Sequence, residues 1–110
     1  MATTPKVLGQ SAPVAATLTD AYTVPALTRT TISSIMIANR SGTVPTVYRI
    51  SVAVAGAADD VKQYIFYDNP IQEKEAVGAT LGITLGPADV VRVYALLATV
   101  SFNIFGIEEA

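Results

Sequence analysis

Apolar and polar positions alternate with a period of two along most of the chain. Residues 46–55 set Tyr48, Ile50, Val52 and Val54 against Val47, Arg49, Ser51 and Ala53. Residues 30–39 put Ile35 and Ile37 on one face and Ser34 and Met36 on the other. Residues 89–96 align Val91, Val93 and Ala95. Such alternation predicts half-buried β-strands, because successive side chains of a strand point to opposite faces. Further strands are expected over residues 16–25, 61–68, 79–85 and 99–107, with Pro25, Asn39-Arg40-Ser41-Gly42 and Asn69-Pro70 as breaks. The runs on either side of Asn39–Gly42 read as a hairpin. Arg40 in its turn and Arg49 in the middle of its second strand are candidate contacts to a partner.

Seven or eight short strands at regular spacing predict an all-β chain, an antiparallel β-sandwich of jelly-roll or Ig-like type. One domain is expected over residues 15–110. Residues 1–14, broken by Pro5, Gly9 and Pro13, read as an extended N-terminal arm with at most a short edge strand near Val7 and Leu8. Those two residues are the arm's candidate contacts to a neighbouring molecule. A helix over residues 69–80 competes with this reading, since it would have a proline start and two glutamates. Gly78 leaves it barely two turns, and an extended connection is the better expectation.

Composition adds a constraint on the surface. At 110 residues the chain can build one sheet-on-sheet core. It is 51% hydrophobic and only 15% charged, so it folds and its surface is short of charge. Ile65 and Tyr67 oppose Tyr64 and Phe66, giving one strand two apolar faces. A second semi-apolar face suits a subunit interface, and a homo-oligomer is expected. The net charge of −2, with basic residues scattered between Lys6 and Arg92, argues against nucleic acid as a partner. No run reaches the length of a membrane span and the N-terminal stretch has no signal-peptide core, so a soluble protein made in the cytosol is expected.

Candidate chemistry is thin. With no cysteine and no histidine, thiolate nucleophiles, zinc–sulfur sites and imidazole bases are excluded together. Asp59-Asp60 lacks the following oxygens that a calcium loop needs and reads as a polar turn. The Glu73-Lys74-Glu75 run reads as a solvated loop. Gly78, Gly82 and Gly86 lie in a strand-like run, where glycine marks a bulge or the close approach of another backbone rather than a phosphate loop. Tyr22, Tyr48, Tyr64, Tyr67 and Tyr94 are expected mainly at the edges of the core, with Tyr22 or Tyr67 the positions for a glycan platform. No catalytic residue, cofactor or metal site is expected.

The order of segments carries a resemblance. ISSIMIANRSGTVPTVYRISV, the corner YIFYDNPI, and the ending DVVRVYA with VSFNIFG look like a family of small virion proteins of tailed bacteriophages, from about Val7 to Glu108. The resemblance implies a β-sandwich particle component without catalysis, located in the virion. The extended arm, the few charges and the apolar second faces favour decoration (cement) of the capsid, with the major capsid protein or another virion protein as partner and a trimer as the favoured oligomer. A neck, tail or fibre-base component and a host-glycan module are its alternatives.

Overall fold

Eight strands carry the alternation in the computed structural model, which describes residues 2–110. They are β1 (Thr3–Ser11), β2 (Thr19–Thr23), β3 (Arg29–Asn39), β4 (Thr46–Ala53), β5 (Tyr64–Ile71), β6 (Ala76–Leu85), β7 (Val90–Ala95) and β8 (Val100–Glu109). Helical backbone among the described residues is confined to two 3-10 turns, Val54–Gly56 and Val61–Gln63. The strands form two four-stranded antiparallel sheets, in the orders β1-β8-β3-β6 and β2-β7-β4-β5. The nested pairs β1·β8, β2·β7, β3·β6 and β4·β5 are those of one long hairpin rolled up so that successive pairs alternate between sheets. That connectivity is the jelly roll, which decides between the two sandwich types the sequence allows.

Two expectations change. β3 and β4 lie in different sheets, so the segment around Asn39–Gly42 is an arch over the end of the sandwich and not a hairpin. Asn39, 2% exposed, determines this path. Its amide donates to the carbonyls of Val44 (2.9 Å) and Gln72 (3.2 Å), and its Oδ1 accepts from the Ser41 N–H and the Thr99 hydroxyl. The turn residues are thereby tied to the β5–β6 and β7–β8 connections, and not to a paired partner strand. The N-terminal arm is also not free: Thr3–Ser11 is a nine-residue edge strand on β8. Gly9 lets its backbone approach the Ala21 carbonyl of β2, and this contact closes one side of the sandwich.

The core lies between the sheets. Ile35, Ile37, Phe102 and Ile104 from one sheet meet Tyr48, Ile50, Val91 and Val93 from the other, all at most 2% exposed. The Tyr48 ring stands edge-on to Phe102, with centroids 6.2 Å apart and an interplanar angle of 71°. Each buried side chain of this size contributes roughly 1.5–3 kcal/mol. One transverse line of the first sheet breaks register in every ladder. An extra residue, Leu8, enters β1 between Val7 and Gly9, and β3 slips between Ile32 and Ser34 against both β6 and β8. Bulges of this kind bend a sheet and increase its twist. Leu8 packs against the core beside Gly106, filling the space that glycine leaves; Val7 stays 47% exposed.

Candidate functional site

Arg49 sits mid-way along β4 on the outer face of the second sheet. Its neighbour on β7 is Tyr94. On the other side the ladder with β5 jumps from Tyr48↔Asn69 to Ile50↔Phe66, so both Tyr67 and Asp68 face the single residue Arg49. Asp68 takes a left-handed backbone, φ 51°, which aspartate tolerates better than most residues. A bulge that re-aims side chains is a common device next to binding sites.

The result is a layered cluster. The guanidinium carbon of Arg49 lies 4.2 Å from the Tyr67 ring centroid and 4.3 Å from that of Tyr94. Its Nε donates to Asp68 Oδ1 at 2.6 Å and its Nη2 to Oδ2 at 3.3 Å. Tyr64 stands edge-on to Tyr67, 5.1 Å between centroids, and donates its hydroxyl to Asp59 Oδ1 at 2.8 Å. The hydrogen bond to Asp68 raises the Arg49 pKa further above its ordinary value, so the cation persists at any working pH. Burial and then the Asp59 carboxylate push the Tyr64 phenol up. With the Arg49 and Asp68 side chains 24% and 42% exposed, the ion pair itself adds little to folding, about 0–1 kcal/mol. What the arrangement supplies is a cation fixed between two rings, its Nε and Nη2 held by Asp68. Tyr67 at 55% and Ile65 at 43% exposure extend it as an amphipathic patch.

The other candidates are dispersed. Arg40 donates from Nη2 to the Ala98 carbonyl at 2.8 Å, clamping the β3–β4 arch to the β7–β8 turn. Val7 and Leu8 lie on the opposite sheet from Arg49 and Tyr67. Tyr22 is buried and cannot be a glycan platform: its hydroxyl donates to Glu108 Oε2 (2.5 Å) and shares a 2.7 Å hydrogen bond with Thr30. Tyr94, Tyr64 and Asp68 complete the cluster although sequence reasoning did not single them out for it. The missing signal was the bulge, which no residue pattern around Asp68-Asn69-Pro70 announces. Asp59 and Asp60 part company, one accepting from Tyr64 and the other capping the turn at Lys62 N. Among the described residues no group of three or more acidic side chains converges as a metal site would require. No described helix is long and apolar enough to cross a membrane.

The Tyr22 network gives a pH prediction. Burial, then the bond to Glu108, pushes the Tyr22 phenol up to about 12. The folded state holds that proton more tightly than the unfolded chain, so this contribution is complete below pH ~10 and is lost as pH rises towards about 12. Thermal melts across that window should show a falling melting temperature. In Tyr22→Phe the slope should flatten, with about 1–2 kcal/mol lost at neutral pH because Glu108 and Thr30 each lose a partner.

Fold and site together define an eight-stranded jelly roll bearing an exposed arginine–tyrosine patch on one sheet. No family model matches the chain, nor does any curated protein or solved structure.

Proposed function

We propose that the protein is a non-enzymatic structural component of a bacteriophage virion, a capsid decoration (cement) protein that binds and stabilises the assembled coat shell. The resemblance over residues 7–108 supports the viral setting. The observation that carries the binding role is the Arg49–Tyr67–Tyr94 stack held by Asp68. Tyrosine and arginine are the residues that most often anchor protein interfaces, and here their rotamers are set before binding, which lowers the entropy cost of docking. Copies arrayed on a shell, or joined as a homo-oligomer, engage several coat subunits at once. Avidity then does what one patch of this size cannot. Binding to the expanded shell and not to its precursor stabilises the expanded state by mass action.

The test is the copy number of this chain against the major coat protein in purified particles, by quantitative mass spectrometry. A ratio near that of the coat protein is the expected result. A ratio smaller by one or two orders of magnitude overturns decoration in favour of a neck, tail or fibre-base position, and absence from particles overturns the virion role. The exposed Tyr67 ring favours one second reading, a host-glycan module. It requires that host polysaccharide bind the isolated protein and that Tyr67→Ala abolish the binding.

A further inference from the structure

Two sheets leave four strand edges, and three of them carry features that discourage pairing with another chain. β1 has Pro5, Lys6 and the Leu8 bulge. β2 is five residues long, with Asp20 and a register shift of its own. β5 has two register shifts, Pro70, and Asp68 in the left-handed region. Natural sheets block their edges in these ways. The fourth edge differs. β6 runs ten residues, AVGATLGITL, with no charge and no proline. Among the described residues it pairs with β3 alone, and its other edge is open. Its ladder with β3 is offset near Ile32–Ser34, yet the alternation along β6 is unbroken from Ala76 to Leu85.

Two further features mark this edge. β1 and β2 pack together and close their side of the sandwich, while among the described residues no comparable packing covers β6. Val77, Leu81 and Ile83 therefore reach the core but remain only half-buried. Gly82 lies at the register shift, where Leu81 and Gly82 of β6 together face the single residue Ser33 of β3. A Cβ there would meet nothing within 4 Å, and its φ is not positive. The position therefore leaves the open side of β6 clear for the approach of another backbone.

We propose that β6 is a self-association edge: two copies pair β6 to β6, antiparallel, about a twofold axis at Thr80. The sequence is self-complementary in that register. Gly78 faces Gly82 of the second copy, Ala79 faces Leu81, Val77 faces Ile83, and Thr80 faces its own counterpart. The inner-face pairs are all apolar, and small meets small on the outer face. No like charges meet, because the adjoining Glu75 falls opposite Leu85 and already accepts from the Gln72 N–H at 2.8 Å. The paired walls, about 34 Å long and roughly 15 Å across, bury on the order of 1,000 Å² in total, the lower bound for a specific interface. A twofold contact uses one surface on both copies, whereas a three-membered ring joins two different ones. β6 lies on the sheet opposite Arg49, so this contact leaves the arginine–tyrosine patch open and stands independently of the role proposed for that patch.

The experiment measures the mass of the full chain by sedimentation equilibrium at about 100 µM, a concentration that populates even weak contacts. A dimer is expected, with Thr80→Lys still folded by circular dichroism and its dissociation constant raised at least about tenfold by like charges directly across the axis. The chain has no cysteine, so oxidised Thr80→Cys reports the register without background, because residues directly opposite lie within disulfide range. Thr80→Cys is expected to cross-link alone, whereas Ala76→Cys and Thr84→Cys cross-link only when mixed. A wild-type monomer, a trimer, or a dimer indifferent to Thr80→Lys overturns the proposal.

Discussion

Gly106→Ala should cost about 3 kcal/mol, a fall in melting temperature of more than about 10 °C for a chain of this size. The cause is space, since Gly106 does not have a positive φ. An added Cβ would run into the Thr31 carbonyl oxygen and come within 2.9 Å of Leu8 Cδ1 and 3.0 Å of Ile32 Cα. Two of those atoms are backbone of the adjacent strand in a core sheet, so relief requires β3 and β8 to part. Gly82→Ala is the control: the same methyl at the open edge meets nothing, and the monomer should be unchanged or gain up to about 1 kcal/mol. Urea unfolding of the two variants side by side checks both. A Gly106→Ala protein as stable as the parent would mean that the register break at Ile32–Ser34 can slide.

The largest effect on binding should come from Arg49. Arg49→Ala removes the cation from between two rings and leaves Asp68 without its partner. Under the decoration reading it should reduce binding to particles by about 2–4 kcal/mol, roughly 30- to 1,000-fold. Arg49→Lys should restore little, because an ammonium can neither stack as a plane between Tyr67 and Tyr94 nor bridge both oxygens of Asp68. Folding should survive either change to within about 1 kcal/mol, since the pair is solvent-exposed. Binding of labelled protein to particles that lack it gives the affinity, and thermal melts give the stability. Parent-like particle binding by Arg49→Ala would remove the patch from consideration.

The strands were legible because each has one dry face: Ile35 and Ile37, or Val91, Val93 and Ala95, repeat at the period that burial on one side requires. Which strands pair was not legible. Asn39-Arg40-Ser41-Gly42 can turn a hairpin or an arch equally well. The choice rests on Asn39 finding Val44, Gln72 and Thr99, partners up to 60 residues away. The length of the edge strand in the arm was not legible for a similar reason. Pro5 and Gly9 read as breaks, but an edge strand has one unpaired side where a missing N–H costs nothing, and Gly9 is needed for the approach of β2. Half of the site was within reach, as Arg49 and Tyr67 stand out as the charged and aromatic members of outward faces. Their meeting depends on a two-for-one bulge at Asp68, and bulges leave no periodic trace.

The nested strand order also governs when the molecule can fold. Thr3 pairs with Glu109, so the ladder that seats β1 joins the first strand to the last. On a ribosome, the sheet β2-β7-β4-β5 has all its strands once Ala95 has emerged. The other sheet at that moment holds only the β3·β6 pair, because β8, which sits between β1 and β3, is made last. Long-range pairing of this kind is slow, and the growing chain must keep β1 and the inner face of β3 uncommitted until the final ten strand residues arrive. Closure of this sandwich therefore waits for its last strand, and until β8 arrives the β3·β6 pair has one edge unpaired.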